Sequence, residues 1–126
     1  MSKIGFHVDL SNLNKKELVD FEDFVSQTQL ALLVIETDKP EEVNRIRKIA
    51  PENTLVVFQP NISAFNKEGR YWNELTPEEY IARIGAENIS QDVIFSVAED
   101  AYATDKASLR TMIDWISVVT ILLLEK

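Results

Sequence analysis

Residues 30–58 read LALLVIETDKPEEVNRIRKIAPENTLVVF and contain, in order, an apolar run, an amphipathic stretch and a second apolar run. The runs at 30–35 and 55–58 are short and hold β-branched residues, which is typical of buried strands. Between them, Pro40 with Glu41 and Glu42 begins a helix, because proline fits the first helical turn and carboxylates complement its positive end. The stretch therefore predicts a strand–helix–strand unit.

Similar apolar runs recur along the chain at residues 4–8, 93–97 and 118–124. Amphipathic stretches between them carry helix-start signals at Asn14, Thr76, and Thr104 or Asp105. We predict strands over residues 3–9, 30–35, 54–58, 92–97 and 118–124, with a last helix that ends at Ile116. Such alternation predicts a mostly parallel sheet covered by helices on both faces, with a functional site beyond the carboxyl ends of the strands.

The predicted architecture is a single α/β domain over residues 1–126, with three layers, a flavodoxin-like five-stranded sheet and about four helices. A chain of 126 residues is long enough for one hydrophobic core and too short for two. Half of a (βα)8 barrel is the main structural alternative. Such a half-barrel has open sheet edges, and these would require dimerisation.

The amino-acid composition limits which partners and which cellular compartment we expect. The formal net charge is -8, which argues against nucleic-acid binding and suits metal ions or a basic protein partner. The chain has no cysteine, which excludes disulfides and zinc–thiolate sites. Its first residues lack the apolar segment of a signal peptide, and its last apolar run is shorter than a membrane-spanning helix. We therefore expect a cytoplasmic protein without a membrane contact.

Several of these segments resemble the receiver domains of two-component signalling. Residues 93–96 are similar to the family's fourth strand, which ends in a small hydroxyl residue, and residues 122–126 to its fifth strand, which ends in lysine. Asp9 occupies the place of a metal-binding acid after the first strand. The third strand, however, ends in Phe58-Gln59-Pro60 where the family has its phosphoacceptor aspartate. The resemblance therefore implies a degenerate receiver-like module that is regulatory and not phosphorylated.

Carboxylates follow the predicted strands and form a candidate metal site. Asp9, Glu36 and Glu99 come to one edge if the strands are parallel neighbours, and such oxygen ligands suit Mg²⁺. An enzyme of this kind would transfer phosphoryl groups or hydrolyse a substrate with the help of the metal. The simpler interpretation is a chance cluster among 21 acidic residues, with no cofactor. His7 is the only histidine, and glycine-rich nucleotide-binding loops are absent from the sequence.

Residues 61–75 form an unusually long connection for an α/β protein. The segment carries Phe65, Tyr71 and Trp72, which we predict as a partner-binding surface, with packing onto the core as the alternative. The favoured function is a non-catalytic regulatory or protein-interaction module, such as an acidic antagonist or immunity-type protein. A third interpretation is a piece of a longer protein, since the last predicted strand runs almost to the final residue.

Overall fold

The computed structural model describes residues 3–60, 76–96 and 109–124. Two compact units divide the chain. The first contains the described residues 3–60 and 89–96, and the second contains the described residues 76–88 and 109–124. Each unit is considered by itself below.

The first unit is a parallel sheet with two helices. Its strands are β1 (Gly5–Asp9), β2 (Leu32–Thr37), β3 (Leu55–Pro60) and β4 (Ile94–Phe95), and its helices are α1 (Lys15–Gln27) and α2 (Pro40–Ile49). Leu10–Asn12 form one turn of 3-10 helix after β1. Each neighbouring pair of strands is parallel. The predicted α/β class with a parallel sheet is therefore confirmed.

The second unit corrects the predicted fifth strand. It contains α3 (Pro77–Arg83), a 3-10 turn (Ala86–Asn88) and α4 (Leu109–Leu124). Residues 118–124 continue α4 past Ile116 as helix, so the sheet has four strands among the described residues instead of five. The β-branched run from Val118 to Ile121 fits a strand locally. The helical state is favoured because two residues that are four positions apart pack inward on the same side. Trp115 contacts Tyr80, and Val119 is buried.

Strand order is the feature with the greatest consequence for the site. The sheet runs β1-β2-β3-β4, so each strand lies beside the next one in the chain. A flavodoxin-like sheet has the order 2-1-3-4-5 and reverses direction after its first strand. The described strands show no such reversal. Because crossovers between parallel strands are right-handed, a sheet that advances in one direction places its helices on one face.

Both helices of the first unit do lie on one face. Phe6 of β1 contacts Phe21 and Phe24 of α1, and Arg45 of α2 forms an ion pair with Glu22 of α1 at 2.7 Å. The side chains between sheet and helices are fully buried: Leu33, Ile35, Val56, Phe58, Val43 and Ile46. Burial of each such side chain stabilises the fold by about 1.5–3 kcal/mol. We call this side of the sheet the helix face.

Polar side chains determine where the helices begin. Asn14 and Glu17 form the predicted capping box of α1, and Thr76 and Glu79 form the equivalent box of α3. Helix α2 has no such cap at Lys39; instead the buried Thr37 hydroxyl accepts from the Lys39 N–H at 3.1 Å and donates to Glu42 at 3.0 Å. These bonds satisfy backbone donors that a helix leaves unpaired.

Strand β4 is only two residues long, and side chains from α2 hold the segment that leads into it. Arg47 donates to the carbonyls of Thr54 and Pro51 and lies 3.4 Å from the Asp92 carboxylate. The Asn44 side chain accepts from the Ser90 N–H at 2.9 Å. Arg47 thus joins the end of α2, the start of β3 and the approach to β4 through one nearly buried guanidinium.

No helix in the described ranges is both long enough and apolar enough to cross a membrane.

Candidate functional site

The carboxyl ends of the first three strands bring polar side chains together. Asp9, Glu36 and Gln59 are register partners across β1, β2 and β3. Paired residues on neighbouring strands point to the same face, which here is the face opposite the helices. The predicted meeting of Asp9 and Glu36 at one edge therefore occurs. Glu99, the third predicted member, lies outside the described residues.

Hydrogen bonds orient these carboxylates. Oδ1 of Asp9 accepts from the Ser11 N–H at 3.0 Å and from the Ser11 hydroxyl at 2.6 Å. Oε1 of Glu36 accepts from the Gln59 amide at 2.8 Å and lies 3.7 Å from Nε2 of His7. These contacts join side chains of three neighbouring strands, and the cluster remains partly exposed to solvent.

The charge of Asp9 follows from its surroundings. Partial burial raises its pKa, but the hydrogen bonds from Ser11, the neighbouring Glu36 and the nearby His7 lower it by more. The net result is a pKa below the usual aspartate value of 3.8. Asp9 is therefore a carboxylate at neutral pH, as a cation ligand or a hydrogen-bond acceptor must be.

Among the described residues, this cluster offers two carboxylates to a metal ion, those of Asp9 and Glu36. Residues 3–60, 76–96 and 109–124 contain no group of three or more histidine or acidic side chains placed to hold an ion. Mg²⁺ usually takes only one or two protein carboxylates and keeps several waters. Asp9 and Glu36 would be those two carboxylates, so the Mg²⁺ site stays a prediction.

An apolar groove lies along β1, the strand at one edge of the described sheet. It has a volume of about 440 Å³ and is lined by β1, α1 and the turn between them: Phe6, Val8, Leu13, Glu17, Asp20, Phe21 and Phe24. We call it the edge groove. The Phe6 ring lies 5.5 Å from that of Phe24 and 6.1 Å from that of Phe21. Phe6 and Phe24 remain 41% and 38% exposed.

The sequence alone did not predict this groove. The sequence did contain a signal for an exposed apolar surface on α1. Five apolar residues of this helix cover a wider face than one narrow stripe toward the core would need: Leu18, Val19, Phe21, Phe24 and Val25. Only Phe21 and Val25 of these are buried. The predicted partner-binding residues Phe65, Tyr71 and Trp72 lie outside the described residues.

The side of the sheet opposite the helix face also exposes apolar side chains, and we call it the open face. Its side chains form rows across the strands: Gly5, Leu32 and Leu55, then His7, Val34, Val57 and Ile94, then Asp9, Glu36 and Gln59. Leu55 is 54% exposed and Ile94 is 47% exposed. Parallel sheets usually bury both faces, so this exposure is unusual.

Comparison of the chain with protein-family models, with curated proteins and with solved structures finds no match.

Proposed function

We propose that this chain is a non-catalytic protein-interaction module that binds a protein partner through the edge groove. The observation that carries the proposal is the aromatic cluster of Phe6, Phe21 and Phe24 beside an outer strand. Two of these rings leave much of their surface in water although their neighbours are apolar. Exposed aromatic residues around a groove are typical of the anchor points of protein interfaces.

Charge around the groove indicates the chemistry of the partner. Glu17 and Asp20 line its rim, and the whole chain carries a net charge of -8. A partner segment with apolar side chains and a neighbouring lysine or arginine fits both features, and attraction between opposite charges speeds association. These properties agree with a regulatory protein or an acidic antagonist. The lack of cysteine agrees with a reducing compartment, and we propose a cytoplasmic location.

The sequential strand order supports one of the two fold families considered for this chain. Four parallel strands in the order of the chain, with both neighbouring helices on one face, are the arrangement of consecutive units in a (βα)8 barrel. The flavodoxin-like order of receiver domains lacks this support. We therefore propose a half-barrel module in preference to a receiver-like one.

Site-specific crosslinking tests the interaction. A photoreactive phenylalanine analogue replaces Phe24, and in a control chain it replaces Lys48, which is exposed on α2. In the cells that produce the chain, we expect the analogue at position 24 to form an adduct with a protein. The yield of this adduct should fall at high salt, and it should also fall when the chain carries Phe6→Ser as a second substitution. Equal adducts from both positions, or none from position 24, would contradict the proposal.

A second candidate function is a Mg²⁺-dependent phosphoryl-transfer or hydrolytic enzyme. The adjacent Asp9 and Glu36 carboxylates at the strand ends favour it, because a cation there would neutralise both charges. If Mg²⁺ binds, millimolar MgCl₂ raises the unfolding temperature, and Asp9→Asn removes the increase. Asp23→Asn on the surface of α1 is the matched control. An unfolding temperature that is insensitive to Mg²⁺ in the parent chain would exclude this candidate.

A further inference from the structure

We propose that the partner of the edge groove is an extended peptide segment, which adds to the sheet as a strand beside β1. The segment carries apolar residues and a lysine or arginine at alternate positions. The inference rests on the proposed function and names how the partner binds. It draws on three features of the first unit: the outward backbone groups of β1, the aromatic side chains of the groove, and the acidic residues on its rim.

Strand β1 directs backbone hydrogen-bonding groups away from the sheet. Its one neighbour among the described strands is β2. The Ile4 carbonyl accepts from the Ala31 N–H at 3.0 Å and so points toward β2. A trans peptide group directs its carbonyl and its N–H to opposite sides, so the Gly5 N–H points away from β2. Because a strand repeats every two residues, the His7 N–H also points away.

The edge of β1 is open to an additional strand. Gly5, Phe6 and His7 are all exposed. Lysine, proline and bulges often protect such an edge, but β1 contains neither lysine nor proline, and its register with β2 is continuous. Main-chain hydrogen bonds to an added strand supply affinity, and pockets for its alternate side chains supply specificity. The outward N–H groups therefore favour an extended segment over a helix as the occupant of the groove.

The edge groove receives every second side chain of the added strand. Phe6 and Val8 are the β1 side chains that line it. Side chains of neighbouring strands that point to the same face lie directly beside one another, so those of the added strand would contact these two residues. Phe24 of α1 and Leu13 complete the apolar wall. The residues of the segment that point into the groove are therefore apolar.

The acidic rim selects a basic residue on the same side of the added strand. Among the described residues that line the groove, Glu17 and Asp20 are acidic and none is basic. They lie three positions apart on α1 and so are neighbours on its surface. The stem of a lysine or arginine can pack on the apolar wall while its charge reaches this rim. Such exposed pairs speed association and discriminate between partners more than they add affinity.

An NMR titration with a synthetic peptide tests strand addition. The probe is the acetylated and amidated peptide Thr-Val-Thr-Phe-Thr-Lys-Thr, which places valine, phenylalanine and lysine on one side of an extended chain. We expect saturable binding, with a dissociation constant below about 1 mM. The amide protons of Gly5 and His7 should move downfield, because they gain hydrogen bonds. The amides of Phe6 and Val8, which face β2, should shift less and are the internal control.

Two further peptides test the pattern and the charge. Thr-Thr-Val-Phe-Lys-Thr-Thr has the same composition without the alternation, and Thr-Val-Thr-Phe-Thr-Glu-Thr reverses the charge. We expect each to bind about fivefold or more weakly than the probe, and the effect of charge should shrink at high salt. Asp20→Lys should weaken binding of the lysine peptide and strengthen that of the glutamate peptide. Asp23→Lys makes the same change of charge on α1 outside the groove lining and should alter both much less.

Substitutions in the chain separate the main-chain contribution from the apolar one. His7→Pro removes an outward N–H, and proline is tolerated on an edge strand where that N–H faces solvent. It should weaken binding of the probe about tenfold or more, whereas His7→Ala, which keeps the N–H, should weaken it less. Phe24→Ser should also weaken binding about tenfold or more. Circular dichroism establishes that each variant keeps its secondary structure. The same two substitutions at His7 should have the same ranking in the yield of the adduct from position 24.

The alternatives give different results. If the probe does not bind the parent chain, or if it binds without moving the Gly5 and His7 amides, strand addition is wrong. An adduct at position 24 would then leave the proposed function standing, and the loss of both would overturn both. If the His7 amide of the chain alone shifts with protein concentration, a second copy occupies the edge and the peptide inference fails. Equal binding of the three peptides would contradict the proposed pattern of apolar and basic residues.

Discussion

Thr37 shows how one buried hydroxyl connects a strand with the helix that follows it. Its side chain is 2% exposed, and its hydroxyl accepts from the Lys39 N–H while donating to Glu42. The position carries out the capping that Lys39, at the start of α2, does not provide. A polar group in this core is tolerated because it has partners on both sides.

Thr37→Val should lower the free energy of unfolding by about 1–2 kcal/mol, because it leaves the Lys39 N–H without its acceptor. Urea denaturation followed by circular dichroism measures the loss. Thr37→Ser keeps the hydroxyl and serves as the control. If valine proves as stable as threonine, the hydroxyl does not cap α2.

Asp9 gives the molecule a pH dependence of known sign. Its pKa is lowered in the folded chain, so its contribution to stability is present above the unfolded value of 3.8 and disappears as the pH falls through the folded pKa. Ser11→Ala removes a hydrogen bond to the carboxylate and should move the pKa of Asp9 upward. An NMR titration of the Asp9 carboxyl carbon measures the shift, with Ser26→Ala on α1 as the control. A downward or absent shift would mean that Ser11 does not stabilise the charged form.

At the scale of elements, the helix starts follow local chemistry. The boxes Asn14 with Glu17 and Thr76 with Glu79 begin α1 and α3 where the sequence predicts them. Each box forms between residues within four positions of each other, so the sequence predicts it whatever the fold. The segment 118–124 is the opposite case, because its apolar residues suit a strand or a buried helix equally well.

Thr76→Ala should destabilise the second unit by about 1 kcal/mol through loss of the capping bond to the Glu79 N–H. Thermal unfolding monitored by tryptophan fluorescence is a suitable measurement, because Trp115 contacts Tyr80 on α3. Thr76→Ser should behave like the parent chain. An alanine variant with an unchanged melting temperature would count against the cap.

At the scale of the whole molecule, the helix face and the open face of one sheet should respond differently to substitution. Leu33 is fully buried on the helix face, so Leu33→Ala should cost about 2–5 kcal/mol at any protein concentration. Leu55 is more than half exposed on the open face. Leu55→Ser should therefore cost much less, about 1 kcal/mol or below.

Thermal unfolding of both variants beside the parent chain measures the two losses. Leu33→Ala should lower the unfolding temperature by several degrees or more, whereas Leu55→Ser should lower it much less. A Leu55→Ser variant as unstable as Leu33→Ala would mean that Leu55 contributes as much to the core as Leu33 does.

The sequence by itself determined the α/β class, the parallel sheet, the helix starts and the approach of Asp9 to Glu36. These follow from local periodicity, from capping chemistry, and from the rule that parallel strands end at one edge. Tertiary structure alone decided the order of the strands, the helical state of residues 118–124 and the exposure of Phe6 and Phe24. Each depends on which surfaces remain uncovered once the elements pack, and an apolar residue looks the same in a sequence whether it faces the core or a partner.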